Sequence, residues 1–280
     1  MNGVLVINKP KGMTSFDVVH KISKQLGIKK VGHTGTLDPL AEGVLIVCIG
    51  QATKIVELLT AYDKEYIAGV KLGIKTDSYD IEGNVLDQKE IPDNLSIKEV
   101  VHSFQKTYLQ EVPIYSAVKV NGKKLYEYAR ANKEVELPKK EVTIKKIEVL
   151  EENKDSFTIK AEVTKGCYIR SLINDIGEEL GTHAIMTSLT RTKQGNIPIE
   201  EAVSLEDFEN GELKLLSIEE VLDIPKIQVN DSLAFKIKNG VKIKNDWDIK
   251  DKVLFKNKNH LLGIYEVEEN HLRVWKNFSE

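Results

Sequence analysis

The sequence predicts an α+β fold, in which a large mixed domain dominated by strands is followed by a small domain that resembles a β-barrel. Apolar and polar residues alternate on both sides of a turn within 142–163, which is the pattern of a β-hairpin. Apolar residues recur every three to four positions over 16–26 and 169–180, so two amphipathic helices are expected there. Short apolar runs separated by turns fill 226–280. A domain boundary is therefore predicted after Pro225, between residues 1–225 and 226–280.

Turn and capping residues predict where the first strand and the first helix begin and end. Residues 3–8 predict a strand that ends in the turn 9–12, where proline fixes one backbone angle and glycine frees another. Thr14 or Ser15 is expected to cap a helix that ends at Gly27. The predicted apolar stripe of this helix consists of Phe16, Val19, Ile22 and Leu26.

The rest of the chain is predicted by the same rules. The expected elements of the first domain are a buried strand at 44–49, a short helix at 53–59, a strand at 64–72, a loop at 78–84, a helix capped by Ser96, a surface arm at 112–146, the hairpin, a helix that Gly181 ends, and a partly helical stretch at 200–225. The expected strands of the second domain are 234–237, 253–255, 261–265 and 272–275. So small a module is expected to pack against the first domain.

Composition narrows the class of protein. The 280 residues are 41% hydrophobic and 30% charged, which is typical of a globular protein with a sizeable core. No apolar run approaches the ~20 residues of a membrane span, and the N-terminus lacks the basic start of a signal peptide, so no membrane association is expected. Cys48 and Cys167 lie far apart, which favours reduced thiols and a cytoplasmic protein. Scattered histidines and the lack of a glycine-rich phosphate loop predict neither a metal nor a nucleotide cofactor.

Charge is distributed unevenly along a chain whose formal net charge is -3. Residues 200–225 hold nine acids and one lysine, whereas residues 117–146 hold nine basic and four acidic side chains. Local charge decides phosphate binding, because the Debye length is only ~8–10 Å at physiological salt. Residues 112–146 are therefore predicted to be a basic, tyrosine-bearing arm that contacts nucleic acid. Lysines that merely solvate a surface would give the same pattern.

One aspartate, Asp38, stands on a glycine-punctuated stretch from Gly32 to Gly43, directly before an apolar run. Pro39 restricts Asp38 to extended backbone conformations, so the strand at 44–49 can anchor a loop that presents the carboxylate. An ionised carboxylate held in this way can act as a nucleophile or a base. The alternative is an acid that only organises its own turn, which local chemistry alone favours.

The other candidate side chains are less specific. His33 and Asp38 could suggest a hydrolase, but there is no nucleophile elbow, so a loop-stabilising or phosphate-contacting histidine is favoured. Arg170 opens a helix and is suited to pair with a buried carboxylate. Tyr66 and Tyr168 either stack on a base or fill the core.

Several segments within residues 3–195 together resemble one family, the bacterial TruB-type tRNA pseudouridine synthases, which act on the T-loop uridine. The segments are 8–15 (NKPKGMTS), 32–43 (GHTGTLDPLAEG), 50–54 (GQATK), 63–66 (DKEY), 113–119 (PIYSAVK), 122–130 (GKKLYEYAR), 165–172 (KGCYIRSL) and 189–192 (LTRT). The segment around Asp38 is highly specific. The C-terminal module resembles the family's PUA-like RNA-binding domain through its short strands alone.

The resemblance implies a mainly antiparallel catalytic domain of the pseudouridine synthase type. It implies an isomerase that flips a uridine of the position-55 type, breaks the uracil–ribose bond, turns the base and rejoins it through carbon. No cofactor or metal is needed. The implied partner is the T arm of tRNA. No obligatory protein partner is implied, so a monomer is expected.

The resemblance also implies the roles of the catalytic residues. Asp38 matches the catalytic aspartate, and Arg170 matches the arginine that pairs with it. Tyr66 matches the tyrosine that stacks on the flipped uracil and is placed to help proton transfer. Cys167 stands where the family usually has threonine, so a supporting hydroxyl contact near Tyr168 is lost.

Further matches concern binding. Tyr168 and Leu189 match pocket residues around the base, and His33 matches the histidine that helps to hold the flipped RNA loop. Basic residues of the matched segments are expected to contact the RNA backbone: Lys9, Lys54, Lys119, Lys123, Lys124 and Arg130. The main alternative is an RNA-binding or tRNA-folding module without catalysis. The joint presence of Asp38, Tyr66 and Arg170 favours the enzyme.

Overall fold

The computed structural model describes residues 1–278 of the chain. The strands are β1 (Gly3–Lys9), β2 (Val31–His33), β3 (Glu42–Ile49), β4 (Lys64–Leu72), β5 (Ile74–Thr76), β6 (Val85–Gln88), β7 (Thr107–Glu111), β8 (Lys119–Val120), β9 (Lys123–Lys124), β10 (Lys139–Glu152), β11 (Ser156–Val163), β12 (Ala184–Gln194), β13 (Ile197–Pro198), β14 (Val203–Ser204), β15 (Leu215–Leu216), β16 (Lys226–Gln228), β17 (Ile243–Lys244), β18 (Lys252–Asn257), β19 (His260–Glu268) and β20 (His271–Asn277). The helices are α1 (Ser15–Leu26), α2 (Val56–Ala61), α3 (Ile97–Ser103), α4 (Leu125–Arg130), α5 (Ile169–Glu179), α6 (Leu205–Glu209), α7 (Ile218–Val221) and α8 (Asp231–Lys238), with 3-10 helices at Gly50–Ile55 and Ile199–Glu201.

Eleven strands form the main sheet, and eight of them follow the order β14-β1-β3-β12-β4-β11-β10-β7. Neighbours in this sheet are antiparallel except for β1 with β14 and β3 with β12. The predicted mixed, mainly antiparallel sheet is therefore confirmed. Strand β12, which lies between β3 and β4, is missing from the predicted elements. It places the strand that follows the Asp38 loop beside the strand that carries Tyr66.

Helix α5 forms as predicted, and it packs on the main sheet. All five residues of its predicted apolar stripe are buried: Ile169, Leu172, Ile173, Ile176 and Leu180. They share one core with β4, β10 and β11, and with Leu37, Leu40 and Ala41 of the Asp38 loop. Gly181 follows with φ +76°, the left-handed backbone that ends helices. The core therefore fixes the Asp38 loop and the start of α5 relative to each other.

Helix α1 has the predicted ends but a different buried face. Thr14 caps it in a capping box with Asp17, and Gly27 ends it at φ +66°. The predicted burial of Phe16 is wrong, since this side chain is 71% exposed and Val18 is buried in its place. The reason is that Ser15 must face inward to bond the Asp38 loop, which turns its neighbour Phe16 outward.

Only the first part of the predicted arm at 112–146, up to residue 138, lies outside the strands of the main sheet. Residues 139–146 belong to β10, which pairs with β7 on one side and β11 on the other. Their lysines therefore stand on a strand of the main sheet. The segment between β7 and β10 contains the small β8–β9 hairpin and α4. The predicted capping bond of Ser96 is also wrong, because its side chain makes no hydrogen bond to α3.

Residues 226–277 contain a five-stranded sheet in the order β16-β18-β19-β20-β17. The end strands β16 and β17 do not pair with each other among the described residues, so this sheet is open and is not a closed barrel. The predicted strand at 234–237 is wrong: Asn230 caps α8 there, and Ala234 and Ile237 form its buried face. The sheet packs against the first domain, as predicted, because Leu254, Ile264 and Phe278 share a core with strand β1.

None of the helices in the described part of the chain is long and apolar enough to cross a membrane.

Strands β3 and β12 approach each other closely at Gly43. The importance of this contact can be tested by measuring the free energy of unfolding of a Gly43 variant. Gly43 has φ +102°, and a Cβ atom there would lie 2.3 Å from the carbonyl oxygen of Arg191. We expect Gly43→Ala to lower the free energy of unfolding by more than the ~1–3 kcal/mol of backbone strain alone. Denaturant unfolding measures the loss.

Gly211 provides the matched control for Gly43. It has φ +103° with no atom within 4 Å of the added Cβ, so Gly211→Ala carries the strain without the clash. Equal losses of stability in the two variants would contradict the importance of the close approach.

Candidate active site

The loop that carries Asp38 is pinned on both sides of the aspartate. The backbone N–H of Leu37 donates to Ser15 Oγ at 2.8 Å, and the N–H of Gly12 donates to the carbonyl oxygen of Pro39 at 2.8 Å. The N–H of Ala41 closes the turn by donating to the Asp38 carbonyl oxygen at 3.0 Å. The Asp38 carboxylate therefore projects from a backbone with little freedom to move.

A buried arginine, Arg191 on β12, holds both ends of the same loop. Its Nε donates to the carbonyl oxygen of Val44 at 2.6 Å, and its Nη2 donates to that of Gly35 at 3.1 Å. His33 lies on β2, where its Nδ1 accepts the N–H of Gly35 at 3.3 Å. Burial, and then the charge of Arg191, lower the pKa of His33, so the neutral imidazole is favoured. In this structure His33 supports the loop.

The guanidinium of Arg170 meets Asp38 directly. Its Nε lies 3.0 Å from Asp38 Oδ2, and the Arg170 side chain is 5% exposed whereas that of Asp38 is 38% exposed. Nη1 donates to the carbonyl oxygen of Ser78 at 3.0 Å, and Nη2 donates to that of Tyr115 at 3.0 Å. The predicted partner is thus placed beside the carboxylate and is held there by bonds to two other segments.

A second carboxylate, Asp80, lies 3.8 Å from Arg170 Nη1 through its Oδ2. Its Oδ1 accepts from Ser78 Oγ at 2.6 Å and from the N–H of Glu82 at 3.1 Å. Neither Asp80 nor Tyr115 is among the residues predicted to contact Arg170. The sequence of residues 78–84 indicates only a polar loop. The contact through Tyr115 uses a backbone carbonyl oxygen, which every residue has, so the sequence cannot indicate it. Only the acid content of the loop could have drawn notice to Asp80.

A cavity of about 470 Å³ opens beside the ion pair. Its walls include the predicted site residues Asp38, Tyr66, Tyr168, Arg170 and Leu189, and also Thr36, Lys64, Tyr115, Ser116, Tyr126, Lys165, Cys167 and Arg191. Tyr66 enters from β4, where it stands opposite Arg191 of β12. The β4–β12 pairing, absent from the sequence prediction, therefore builds one side of this cavity.

Burial shifts the pKa values of two polar groups in the cavity wall, Tyr168 and Lys64. Burial raises the pKa of Tyr168, so its hydroxyl stays protonated at neutral pH. Burial lowers the pKa of Lys64 to about 8, and its Nζ donates to the carbonyl oxygens of Thr60 and Tyr62 at 2.6 Å each. The cavity thus combines one accessible carboxylate with aromatic walls and a buried cationic partner.

Cys167 also lines the cavity, and burial raises the pKa of its thiol to about 12. Its Sγ lies 3.8 Å from Nε2 of Gln110, while Oε1 of Gln110 accepts the N–H of Tyr168 at 2.8 Å. A support near Tyr168 therefore persists without a threonine hydroxyl.

Two of the predicted RNA-backbone contacts lie in the interior or between the sheets. The prediction for Lys9 is wrong in this structure: its side chain is fully buried, and Nζ donates to the carbonyl oxygens of Pro10 and Met13 at 2.9 and 2.6 Å. Burial also lowers the pKa of Lys9 to about 8. Lys54 Nζ donates to Gln51 Oε1 at 3.0 Å and to the carbonyl oxygen of Asn277 on β20 at 2.5 Å. Lys9 therefore stabilises its own turn, and Lys54 connects the first 3-10 helix to the second sheet.

The other predicted RNA contacts lie on the arm. Lys119 and Lys123 are exposed on the β8–β9 hairpin and form no salt bridge within residues 1–278. Lys124 and Arg130 flank the ring of Tyr126, with Lys124 Nζ 5.3 Å and the Arg130 guanidinium 5.2 Å from its centroid. Since Tyr126 lines the cavity, these two basic side chains lie at the rim of the cavity. Across the described residues, no group of three or more His, Cys, Asp or Glu side chains could hold a metal ion.

Comparisons with known proteins agree on one family. The family model for the N-terminal domain of TruB family pseudouridylate synthases matches residues 23–169, and that for the tRNA pseudouridylate synthase B C-terminal domain matches residues 170–223. The chain is 48% identical to tRNA pseudouridine synthase B of Bacillus licheniformis over 85% of this chain and 82% of the relative. It is 43% identical to tRNA pseudouridine synthase B of Fusobacterium nucleatum over 97% of this chain and 98% of the relative.

Solved structures extend the similarity to nearly the whole fold. A chain from an H/ACA RNP bound to a substrate RNA containing 2'-deoxyuridine superimposes with a TM-score of 0.75 at 26% identity, covering 99% of this chain and 85% of that one. A chain from a Cbf5-Nop10-Gar1 complex also gives 0.75, at 27% identity and the same coverage. With a family model over more than half of its length and relatives matched nearly end to end, this chain belongs to the TruB family of pseudouridylate synthases.

Proposed function

We propose that this protein is a tRNA pseudouridine synthase that isomerises the T-loop uridine of the position-55 type. The observation that carries the proposal is the Asp38–Arg170 pair, with 3.0 Å between Nε and Oδ2, at the wall of a cavity of about 470 Å³ that has room for a flipped base. Relatives named tRNA pseudouridine synthase B support the substrate class. The T-loop site follows from the resemblance of the segment around Asp38.

Asp38 is proposed as the catalytic nucleophile. The reaction breaks the bond between N1 of uracil and the ribose anomeric carbon, and forms a bond from that carbon to C5. The proton on C5 leaves and N1 gains one, so no net atom or electron enters. Asp38 attacks either the anomeric carbon or C6 of the base, and both require an ionised carboxylate. The permanent charge of Arg170 stabilises that form, and the pinned loop aims it.

The base must leave the RNA stack before this chemistry, at a cost of a few kcal/mol. Stacking on an aromatic ring returns ~1–3 kcal/mol per base. Tyr66 is the proposed stacking surface, and Tyr168 and Leu189 are the proposed walls. His33 is proposed to act through the loop that it supports, since its Nδ1 is used by Gly35.

The remaining contacts are proposed to lie on the arm and on the second sheet. Lys119, Lys123, Lys124 and Arg130 are proposed to hold phosphates around the T loop. Residues 226–280 are proposed to be a PUA-like domain that contacts tRNA outside the T arm, through exposed groups such as Lys236 on α8. The protein is proposed to act as a cytoplasmic monomer without a protein partner.

Replacement of the proposed nucleophile gives the first functional prediction. Asp38→Asn keeps the size of the side chain but removes its charge, so we expect pseudouridine formation in a T-arm stem-loop to fall about 10⁴-fold or more. RNA binding is expected to persist, because the amide oxygen of asparagine can still accept from Arg170 Nε and the arm is unchanged. Mass-spectrometric mapping of pseudouridine measures the product, and a filter-binding assay measures affinity.

Asp155→Asn is the matched control, since Asp155 is an exposed carboxylate paired with Lys71 at the far end of β4. It is expected to turn over like the wild type. Turnover by Asp38→Asn comparable to that of the wild type would contradict the catalytic assignment. If the wild-type protein bound the RNA but formed no pseudouridine, an RNA-binding module would be favoured.

Two substitutions of Tyr66 separate stacking from proton transfer. Tyr66→Phe keeps the ring, so RNA affinity is expected to stay while single-turnover rates fall by about 10²-fold, as for the loss of a general acid or base. Tyr66→Ala also removes the stacking surface, so it is expected to weaken binding as well. An unchanged rate in Tyr66→Phe would remove the proton-transfer role.

The two RNA-binding surfaces predict different responses to charge reversal. The double variant Lys119→Glu, Lys123→Glu is expected to weaken binding of both an isolated T arm and whole tRNA, and to reduce the salt slope by about 1–2. Lys236→Glu is expected to weaken binding of whole tRNA only. Lys154→Glu, in the β10–β11 turn at the far end of the sheet, is the control. Equal losses for both RNAs in Lys236→Glu would contradict a role for α8 outside the T arm.

A further inference from the structure

Gln110 connects the edge of the main sheet to the start of α5. It lies on β7 and is 1% exposed. Its Oε1 accepts the backbone N–H of Tyr168 at 2.8 Å, and its Nε2 donates to Tyr108 Oη at 2.8 Å. Because a backbone N–H can only donate, the amide oxygen must face Tyr168, so this orientation of the side chain follows from chemistry.

A second connection reaches the same helix through Tyr108. Tyr108 Oη donates to Asp175 Oδ2 at 3.1 Å, and Asp175 lies on α5, two turns beyond Tyr168. Burial raises the pKa of Asp175 to about 6. Tyr108 and Gln110 are two apart on one strand and so share a face. Strand β7 therefore holds α5 at two points, of which only the Gln110 bond lies beside the cavity.

The position of this bond links it to the ion pair. Tyr168 is the N-cap residue of α5 and makes no side-chain capping bond, so the Gln110 oxygen fixes the backbone there. Arg170 follows two residues later. On the other side, β7 leads into the segment whose Tyr115 carbonyl oxygen accepts from Arg170 Nη2 at 3.0 Å. Gln110 thus joins the two chain segments that set the position of the guanidinium.

We propose that Gln110 is a positioning residue for the isomerisation, which holds the Tyr168 backbone so that Arg170 meets Asp38 and Tyr168 faces the base. This role rests on the proposed function. Its effect is on the chemical step, because a displacement of about 1 Å at a reacting pair can cost ~10²-fold in rate. The residue itself does not line the cavity, so RNA affinity does not depend on it.

Gln110→Met tests the role, since it keeps the length of the side chain and removes both polar atoms. We expect single-turnover pseudouridine formation in a T-arm stem-loop to fall by about 10- to 100-fold. The dissociation constant for the same RNA is expected to stay at the wild-type value. Thermal unfolding of each variant is measured in parallel.

Tyr108→Phe is the matched control within the same network. It removes the hydroxyl that donates to Asp175 and accepts from Gln110 Nε2, but it leaves the bond between Tyr168 N–H and Gln110 Oε1. It is therefore expected to lower the unfolding temperature while the rate stays near that of the wild type. If Gln110 had only a structural role, the rate of each variant would fall in proportion to its loss of stability. Equal slowing of the two variants, or an unchanged rate in Gln110→Met, would overturn the proposal.

Gln110→Glu decides the matter if Gln110→Met does not fold. It keeps an oxygen that can accept from Tyr168 and loses the N–H donors, so a rate close to the wild type is expected, and a loss of about tenfold or more would overturn the proposal. The wild-type protein is measured in every assay. Wild-type turnover with an unaffected Gln110→Met contradicts this inference only, whereas no wild-type turnover contradicts the proposed function as well.

Discussion

The ion pair between Arg170 and Asp38 is the contact on which the rest of the site depends. A buried guanidinium costs several kcal/mol of lost hydration unless its donors are satisfied. Arg170 meets this demand with Asp38 on one side and with the carbonyl oxygens of Ser78 and Tyr115 on the other. These partners belong to three loops far apart in sequence. The fold must therefore bring the three loops to one point, and each loop is in turn fixed by the arginine that it binds.

The convergence is built on β12 and its neighbours. β12 is parallel to β3 and antiparallel to β4, so one strand contacts both the Asp38 side and the Tyr66 side of the cavity. The close contact at Gly43 leaves no room for a Cβ atom, and the buried Arg191 side chain bonds both ends of the Asp38 loop. A small error in this pairing would move the carboxylate and the aromatic wall relative to each other. The glycine and the second arginine are therefore constraints on geometry.

Elements with a regular period could be predicted from the sequence, and those with a broken period could not. The stripe of α5 and the alternation of β10 and β11 are long, and the structure has them nearly where predicted. Strand β12 has register shifts after Met186 and after Arg191, which break the alternation on which a strand prediction rests. The run 234–237 is too short to separate strand from helix, and the capping bond of Asn230 decides for a helix. The prediction for Phe16 fails for a similar reason. The hydrogen bond between Ser15 and the Asp38 loop decides which face of α1 is buried, and the apolar spacing of Phe16 does not.

The candidate site was accessible to sequence analysis only through its resemblance to a family, and the reason is physical. Local chemistry favoured a structural Asp38, since nothing near it in sequence reveals a cation 132 positions away. The resemblance also predicts an RNA contact for Lys9, but the ammonium group of this buried lysine donates to carbonyl oxygens inside the turn. What separates the two cases is exposure. Asp38 is 38% exposed beside a partner that is 5% exposed, so its charge is supported from the interior and remains open to a substrate. An acid that merely organised its turn would need neither a buried cation nor a cavity in front of it, and this asymmetry favours chemistry over structure as the role of Asp38.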